Sequence, residues 1–237
     1  MDFFNKSEQS ILLNAENIIV GFSGGVDSTL VLTATNQFLD AHNKKNCLTA
    51  LHVNHQTQSD SSSWQKHCEK FCKEHNINFS CKSVEIKESG QGYEAAARSA
   101  RLDIFNAFDK STAIILGHHL DDQVETVFFR VLRGTGLKGL TGMQRHVKIK
   151  DKDFVRPLLH LTKEEIFKQA TEYKLSFIED QSNTDNAYSR NFLRNEIIPQ
   201  ISKRWPGAKK NTARMANLLS KQSSLYHRFL LERLSNV

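Results

Sequence analysis

The chain reads Ile18-Ile19-Val20-Gly21-Phe22 and continues directly into Ser23-Gly24-Gly25-Val26-Asp27-Ser28. The apolar run predicts a buried strand, and the two adjacent glycines allow backbone N–H groups to converge on an anion. A helix that begins near Val26 adds the positive end of its dipole at the same place. The stretch therefore predicts a phosphate-binding loop between a strand and a helix.

Asp27 stands where nucleotide-binding loops of the kinase type carry a lysine that reaches the outer phosphates, so this loop is of another kind. A carboxylate beside bound phosphates favours Mg²⁺, which is usually held by one or two carboxylates, waters and phosphate oxygens. The alternative is that Asp27 only stabilises the first turn of a helix. The predicted nucleotide ligands are Ser23, Gly24, Gly25, Val26, Asp27 and Ser28, with Asp27 also the magnesium-linked acid.

Strand-like and helix-like patterns alternate through the first half of the chain. The predicted strands are residues 18–22, 47–53, 79–86 and 113–117, and the predicted helices are residues 26–41, 61–75, 93–108 and 121–132. This order predicts an α/β fold, in which a twisted, Rossmann-like parallel sheet has helices on both faces and a small helical region follows. Ligands bind beyond the carboxyl ends of such strands, so we expect residues 23–28, 52–55 and 117–122 at one edge.

The second half of the chain has a weaker pattern. Residues 134–142 are rich in glycine and basic, which predicts a mobile loop rather than a helix. A capping box at residues 162–165 predicts a helix that runs to about residue 173. A further helix is expected near residues 191–198, ended by Pro199, and Pro206 opens a last helical stretch whose apolar positions face either the domain or a partner domain.

The charge of the chain is uneven. The formal net charge is +6 over 237 residues, and residues 126–150 and 201–221 each carry basic residues without an acidic one. Clustered cations favour a polyanionic partner, whereas solvated helix faces would mix both signs. Both interpretations stay open, with the polyanion preferred.

Cysteine usage and hydropathy predict the compartment. The four cysteines form no Cys-x-x-Cys pair, and Cys68 and Cys72 lie four residues apart on a predicted amphipathic helix. We expect reduced thiols in the cytoplasm. No apolar run approaches the roughly 20 residues that span a bilayer, so we expect a soluble protein without a membrane partner.

A second unusual cluster is Gly117-His118-His119-Leu120-Asp121-Asp122-Gln123-Val124-Glu125. On a helix, His118 and Asp122 share a face, as do Asp121 and Glu125. One interpretation is a transition-metal site, since His and carboxylates are its ligands. In the preferred interpretation, His118 and Asp122 transfer protons or hold the substrate, and Asp121 or Glu125 binds magnesium or a cationic substrate. A helix start with acids that complement the dipole is the third.

Arginines recur at helical spacing in two places. Glu94, Arg98 and Arg101 fall at i, i+4 and i+7 of one predicted helix, and Arg190 and Arg194 project from one face of another. A surface salt bridge is the alternative for the first set, and the guanidinium groups of the second set suit phosphates. Taken alone, each set is weak evidence for a function.

Taken together, the motifs resemble the bacterial tRNA(Ile)-lysidine synthetase family of the ATP pyrophosphatase (PP-loop) superfamily. The matching segments, in order, are the loop at 23–28, His-Val-Asn-His at 52–55, Glu-Ala-Ala-Ala-Arg at 94–98, residues 117–126, Arg-Gly-Thr-Gly-Leu-Lys-Gly-Leu at 133–140, Arg-Pro-Leu-Leu at 156–159, Asp-Gln-Ser-Asn at 180–183 and Tyr-Ser-Arg-Asn at 188–191 with Arg194. The segment at 133–140 is far more specific than the shared loop.

The resemblance implies an enzyme that uses ATP and Mg²⁺ to adenylate the wobble cytidine of a tRNA(Ile) with a CAU anticodon. Free L-lysine then displaces AMP at carbon 2 of the base, after pyrophosphate has been released. It also implies three parts: residues 1–145 as the PP-loop domain, 146–205 as the remainder of the catalytic core, and 206–237 as a helical linker or the start of a carboxyl-terminal region. A homodimer is left open.

Site roles follow from the same resemblance. It implies that Arg98 and Arg194 stabilise the α-phosphate or the adenylated base, and that His118, Asp122 and Glu125 line the lysine and cytidine pocket. His52 joins the nucleotide site, and Asp121 is a second candidate for magnesium. The implied tRNA contacts are Arg133, Lys138, Arg145 and Arg190. We expect His118 to accept the proton of the lysine amine.

One departure and three rivals remain. The family often continues His-Val-Asn-His with Gly-Leu-Arg, but Gln56, Thr57 and Gln58 stand here. A tRNA thiolation enzyme shares the loop and the adenylation step but commonly depends on cysteine pairs. An amide-forming ligase leaves the basic runs unexplained. A non-catalytic, nucleotide-sensing RNA-binding module would bind ATP without turnover.

Overall fold

The computed structural model describes residues 3–54, 61–84, 93–179, 186 and 189–234. The helices are α1 Lys6–Asn14, α2 Val26–Ala41, α3 Ser61–Glu74, α4 Tyr93–Asn106, α5 Leu120–Leu132, α6 Leu137–Leu140, α7 Lys163–Glu172, α8 Ser189–Phe192, α9 Ile198–Arg204 and α10 Ala208–Leu234. The strands are β1 Asn17–Gly21, β2 Leu48–Asn54, β3 Asn78–Ser83, β4 Thr112–Ile115, β5 His146–Ile149 and β6 Lys152–Val155.

The chain divides into two compact units. The first unit comprises Met1–Gly117, Arg145–Leu158 and Glu164–Glu179, and the second comprises His118–Gln144, Leu159–Lys163 and Asp180–Val237. The first unit therefore contains the sheet, and the second contains α5, α6 and the helices from α8 onward. The three-part functional division expected from the resemblance stays a prediction.

The sheet of the first unit has the strand order β3-β2-β1-β4-β6-β5, with β5 antiparallel to β6 and every other pair parallel. Right-handed crossovers place α2 and α3 on one face and α4, which returns across the sheet, on the other. This confirms the predicted α/β class. The order reverses between β1 and β4, which is the point where α/β sheets bind ligands.

Alternation along β1 explains how both faces are covered. Ile18, Val20 and Phe22 are buried on one side, where the Phe22 ring lies 5.5 Å from the ring of Phe71 on α3. Ile19 points to the opposite face and packs with Phe105 of α4. A strand that is apolar on both faces requires cover on both, which agrees with the buried strand that the continuous apolar run predicts.

The hairpin of β5 and β6 was not predicted. Its strands have four residues each and carry charged side chains, which hides the alternation. Lys150 and Asp151 form the two-residue turn with φ of 48° and 65°. Positive φ at both positions matches the twist of a two-residue hairpin, but the usual sequence signal for such a turn is Asn-Gly or Asp-Gly.

The second unit corrects two local predictions. The glycine-rich stretch 134–142 contains the short helix α6. Two carbonyl groups of this stretch, those of Gly139 and Gly142, accept hydrogen bonds of 2.9 and 3.0 Å from Arg130, which stabilise the turn. The second correction is that Pro199 does not end a helix. It lies in the first turn of α9, where a missing N–H costs little, and a π-helical turn, Leu193–Ile197, precedes α9.

The long helix α10 packs on α5 but leaves much apolar surface uncovered within the described residues. Ala216 is fully buried, whereas the exposed large apolar side chains of this helix are Met215, Leu218, Leu225, Tyr226, Phe229, Leu230 and Leu231. Among the helices of the described residues, none combines the length and the apolar content that crossing a bilayer requires.

Candidate active site

The loop after β1 has the geometry of an anion cradle. Gly24 adopts φ +84°, and Gly25 is the N-cap residue of α2. Ser28 donates its hydroxyl to the carbonyl of Gly25 at 2.9 Å, and the hydroxyls of Ser23 and Ser28 lie 3.1 Å apart. These bonds hold the loop so that the first amides of α2 stay available at its end.

The two glycines of the loop serve different purposes. A Cβ on Gly24 would lie 3.0 Å from Cys68 Sγ and 3.3 Å from Ile178 Cδ1, so packing and φ both exclude a side chain. A Cβ on Gly25 would meet Ser23 Oγ at 3.5 Å, an ordinary contact. Gly24 is therefore needed for folding of the loop, whereas packing does not require a glycine at Gly25, whose missing side chain leaves the cradle open.

The first turn of α2 also carries Asp27, which is partly buried. Gly117, two residues beyond the carboxyl end of β4, approaches this turn closely: a Cβ there would lie 3.0 Å from both C and O of Asp27 and 3.1 Å from the amide of Ser28. The described residues contain no group of three or more His, Cys, Asp or Glu side chains that could hold a metal ion. The predicted magnesium role of Asp27 thus depends on oxygens that phosphates and water would supply.

His52 connects β2 to the start of the loop. Its Nδ1 lies 2.9 Å from the carbonyl oxygen of Phe22, so Nδ1 carries the proton and donates, which leaves Nε2 as an acceptor. Burial lowers the pKa of His52, and the hydrogen bond to Phe22 raises it by less. The imidazole is therefore neutral at pH 7 and fixed in one tautomer beside the predicted nucleotide ligands.

The second unit contains a bidentate ion-pair cluster built on Glu125, which is 1% exposed. Arg194 donates from Nε to Oε1 at 2.6 Å and from Nη2 to Oε2 at 3.0 Å, and Arg190 donates from Nε to Oε2 at 2.9 Å. Arg190 Nη2 also reaches Thr126 Oγ1 at 3.3 Å. The predicted residues Glu125, Arg190 and Arg194 are thus brought together.

Asp122 joins the same cluster at its edge. Its Oδ1 lies 3.4 Å from Arg194 Nη2, and its Oδ2 accepts the backbone N–H of His119 at 3.0 Å. Burial raises the pKa of Asp122, but the charges of His119, His118 and Arg190 and the bond from the His119 amide outweigh it, so the pKa lies below its ordinary value. An ionised Asp122 therefore stands near His118.

Asp121 is held apart from that cluster. It accepts Lys209 Nζ at 2.6 Å and the amide of Lys163 at 2.8 Å. Burial raises the pKa of Asp121, yet hydrogen bonds from His119, Lys209 and the Lys163 amide together bring it well below the ordinary range. A magnesium ion at Asp121 would compete with Lys209, so the predicted metal role has less support here than at Asp27.

The predicted tRNA contacts have different environments. Arg133 and Lys138 are exposed, and the guanidinium of Arg133 lies 5.1 Å from the centre of the Phe129 ring. Arg145, in the first unit, forms an ion pair with the buried Glu8 at 2.7 Å, so a phosphate there would compete with this pair. Arg98 lies exposed on α4.

Sequence reasoning missed the structural roles of three residues. His119 is the N-cap residue of α5, Glu8 anchors Arg145, and Arg156, after β6, is 7% exposed although it carries a guanidinium group. In the sequence, Arg156 was noted only as part of the Arg-Pro-Leu-Leu motif. Its position directly after an apolar stretch was the signal that could have indicated a buried charged residue. Other parts of the motifs used for the resemblance, His55, residues 180–183 and Tyr188, lie outside the described residues, and so does the departure at residues 56–58.

Comparison with known proteins agrees with this geometry. The PP-loop domain family matches residues 2–201. The tRNA(Ile)-lysidine synthase of Legionella pneumophila (strain Lens) is 40% identical over 202 residues, which are 85% of this chain and 46% of that protein. The enzyme of the same name from Photorhabdus laumondii is 37% identical over 223 residues, or 94% of this chain and 50% of that protein. The chain therefore spans about half the length of the curated relatives it matches.

A solved structure agrees on the fold. The U34-tRNA thiolase from Methanococcus maripaludis, determined with its [4Fe-4S] cluster, superimposes with a TM-score of 0.69 at 20% identity, covering 91% of this chain and 75% of that one. Identity this low bears on the architecture alone. The family match, by contrast, covers most of the sequence and includes the loop at residues 23–28, and the chain therefore belongs to the PP-loop domain family.

Proposed function

We propose that this chain ligates lysine to carbon 2 of the wobble cytidine in a tRNA(Ile) with a CAU anticodon. ATP first adenylates the base and releases pyrophosphate, and the lysine amine then displaces AMP. The observation that carries the proposal is the 40% identity, over 85% of this chain, to a protein named tRNA(Ile)-lysidine synthase. The PP-loop domain supplies the expected ATP chemistry.

The first unit binds ATP in this proposal. The amides at the start of α2 and the cradle at Gly25 hold the pyrophosphate end, and the hydroxyls of Ser23 and Ser28 keep the loop in shape. Neutral His52 accepts a hydrogen bond at Nε2 from the adenosine part. These donors need little reorganisation when the nucleotide arrives, because the loop is already held by protein contacts.

Magnesium is the proposed cofactor, and Asp27 is its proposed protein ligand. When bound, Mg²⁺ neutralises phosphate charge and so favours departure of pyrophosphate. Asp27 fits this role because it lies in the first turn of α2 beside the cradle at Gly25. Its own task is to orient the ion through one carboxylate.

The second unit handles the acceptor chemistry in this proposal. A lysine amine with a pKa of about 10.4 must lose a proton, which at pH 7 costs about 4.6 kcal/mol. His118 accepts this proton and the ionised Asp122 stabilises the resulting imidazolium, as the lowered pKa of Asp122 allows. Glu125 positions Arg190 and Arg194, whose guanidinium groups face anionic parts of the adenylated tRNA.

Two alternatives make different use of the same fold. A thiolation enzyme requires sulfur delivery, but burial raises the pKa of both Cys68 and Cys72 to about 12, which suppresses the thiolate. A nucleotide-sensing RNA-binding module needs no proton acceptor, and the His118 and Asp122 arrangement would then have no use. The free thiols of Cys47, Cys68, Cys72 and Cys81 support a reducing, cytoplasmic location. The homodimer stays a prediction.

The test is mass spectrometry of nucleosides from a CAU-anticodon tRNA(Ile) transcript incubated with the protein, ATP, Mg²⁺ and lysine. We expect a cytidine heavier by lysine minus water, absent without lysine and absent with the Asp27→Asn variant. Unmodified tRNA together with tight ATP binding would contradict the proposal and favour the sensor. A cytidine that gains sulfur in the presence of a persulfide donor would favour thiolation.

A His118→Gln variant tests the proton acceptor separately. We expect pyrophosphate release to continue while lysine transfer falls, because only the second step requires a neutral amine. Transfer as fast as in the wild type would remove His118 from this role. His42→Gln is the matched control, since His42 is an exposed histidine at the carboxyl end of α2, and it should leave both steps unchanged.

A further inference from the structure

Arg156 extends the buried side of β6 beyond its last strand residue. Two residues earlier on this strand, the Phe154 ring meets the Phe105 ring of α4 edge-on, with centroids 6.0 Å apart. The extended backbone continues through Arg156, whose amide donates to the carbonyl of Arg145 at 2.7 Å. Side chains two residues apart on a strand share a face, so Arg156 lies on the face that α4 covers.

Arg98 reaches the same place from α4. It precedes Phe105 by seven residues, or about two helical turns, and therefore shares its side of the helix. Because α4 connects two parallel strands, its amino end lies towards their carboxyl edge. Towards that edge, Arg98 lies about 10 Å along the helix from Phe105, and Arg156 lies about 7 Å along the strand from Phe154. Because Phe105 and Phe154 are in contact, the two arginines converge at the same edge of the sheet.

The electrostatics agree with this placement. Burial lowers the pKa of Arg156 to about 10, and the positive charge of Arg98 contributes to the decrease. Two like charges that lie close together oppose each other, and an oxyanion between them would offset both this repulsion and the lost hydration of Arg156. Guanidinium groups also present paired N–H donors that match the oxygens of a phosphate. Arg98 is itself exposed, so an anion has access from solvent.

The place where the arginines converge adjoins the phosphate-binding loop. Ile115 is the register partner of Val155, and the amide of Leu116 donates to the carbonyl of Val155 at 2.9 Å, so Leu116 lies beside Arg156 at the edge of the sheet. Gly117 directly follows Leu116, and it lies against Asp27 and Ser28 in the first turn of α2. Arg156 is thus one strand spacing away from the segment that abuts the cradle.

We propose that Arg98 and Arg156 form a two-guanidinium site for the α-phosphate of the nucleotide, with Arg156 as a binding residue. The inference rests on the proposed function in one respect: the loop takes the pyrophosphate end of ATP, which leaves the α-phosphate for the adjoining edge. Negative charge builds on the non-bridging oxygens of this phosphate as the base oxygen attacks phosphorus, before pyrophosphate takes the bonding pair away, so fixed guanidinium groups would stabilise the adenylation step.

The test compares the affinities of the full chain for AMP and for adenosine, by isothermal titration calorimetry. AMP carries only the α-phosphate and adenosine carries none. We expect Arg156→Gln to lower AMP affinity by about tenfold and to leave adenosine affinity unchanged. Arg98→Gln should show the same selectivity. Arg156→Lys keeps the charge but not the paired donors, and it should lose about threefold.

Lys152 provides the matched control, since it is buried on the same face of the same strand, four residues before Arg156, and donates to the carbonyl of Asn106 at 3.0 Å. Lys152→Met should lower thermal stability without changing AMP affinity. Equal losses for AMP and adenosine in the Arg156 variants, or unchanged AMP affinity in folded Arg156→Lys, would overturn the site. Absence of lysidine in the tRNA assay, with the AMP selectivity intact, would instead reject the proposed function alone.

Discussion

Arg194 binds Glu125 with two parallel hydrogen bonds, of 2.6 Å to Oε1 and 3.0 Å to Oε2. Because Oε2 also accepts Arg190, one buried carboxylate fixes the orientation of two guanidinium groups. Charge-assisted, bidentate bonds of this kind combine strength with directional precision. Glu125 is therefore best understood as the residue that positions the arginines, with both arginines partly open to solvent.

Replacing Glu125 with Gln should destabilise the protein by about 1–3 kcal/mol, because two guanidinium groups lose an ionised acceptor. The cost stays below that of a fully buried pair, since Arg190 and Arg194 keep partial access to water. Urea unfolding measures the change. Glu196→Gln, at an exposed carboxylate that accepts Asn186, is the matched control and should change stability by less than about 0.5 kcal/mol.

Alanine at the two loop glycines should separate folding from nucleotide binding. Gly24→Ala should cost about 2 kcal/mol or more, because φ is +84° and the new Cβ would meet Cys68 and Ile178. Gly25→Ala should leave the melting temperature nearly unchanged yet weaken ATP binding by about tenfold, since its methyl group enters the cradle. Thermal melting and ATP titration of both variants provide the measurements; equal melting temperatures would contradict the distinction.

Lowering the pH should destabilise the second unit because Asp121 becomes protonated. Its pKa is lower in the folded protein than in the unfolded chain, so it adds stability at pH values above about 3.9 and loses that contribution as the pH falls further. Asp121→Asn should therefore show a shallower fall of the melting temperature between about pH 5 and pH 2. Asp40→Asn, at an exposed position of α2, serves as the control, and a slope identical to wild type in Asp121→Asn would refute the assignment.

The thiols should react in two groups. With a pKa of about 12, Cys68 and Cys72 are ionised to roughly one part in ten thousand at pH 8, and both are buried. Cys47 and Cys81 are partly exposed. Iodoacetamide labelling followed by peptide mass spectrometry should modify Cys47 and Cys81 first and the buried pair only after urea is added. Early labelling of Cys68 would favour the thiolation alternative.

Binding of tRNA should depend strongly on salt. If about six phosphates are neutralised, affinity falls on the order of a thousandfold between about 50 and 200 mM salt. The double variant Arg133→Gln, Lys138→Gln should reduce the slope of log affinity against log salt by about 2. Lys66→Gln, at an exposed basic position of α3, should leave the slope unchanged. Filter binding provides the measurement, and an unaltered slope in the double variant would remove this loop from the tRNA interface.

The sequence predicted the elements whose pattern is strong. The predicted helix at residues 26–41 coincides with α2, and the four predicted strands each overlap a strand of the sheet. The hairpin of β5 and β6 was missed because its short strands carry lysine, histidine and aspartate among few apolar residues. Pairing with β4 stabilises β6. The two strands lie about forty residues apart in the sequence, so the local propensity of β6 does not indicate this pairing.

The candidate site was predictable as a set of residue types but not as a set of contacts. Helical spacing placed Arg190 and Arg194 on one face, and the structure joins that face to Glu125. Spacing also grouped Asp121 with Glu125, whereas Asp121 pairs with Lys209, which is distant in sequence. Tertiary packing determines which residues form ion pairs over such sequence distances, and a single sequence does not reveal that packing.

The close approach of Gly117 to the first turn of α2 restricts which residues can stand at position 117. A methyl group there would press on C and O of Asp27, which are main-chain atoms and have no rotamer with which to move aside. In a related sequence, a larger residue at this position should therefore go with a displaced first turn of α2, and the proposed nucleotide site would change with it.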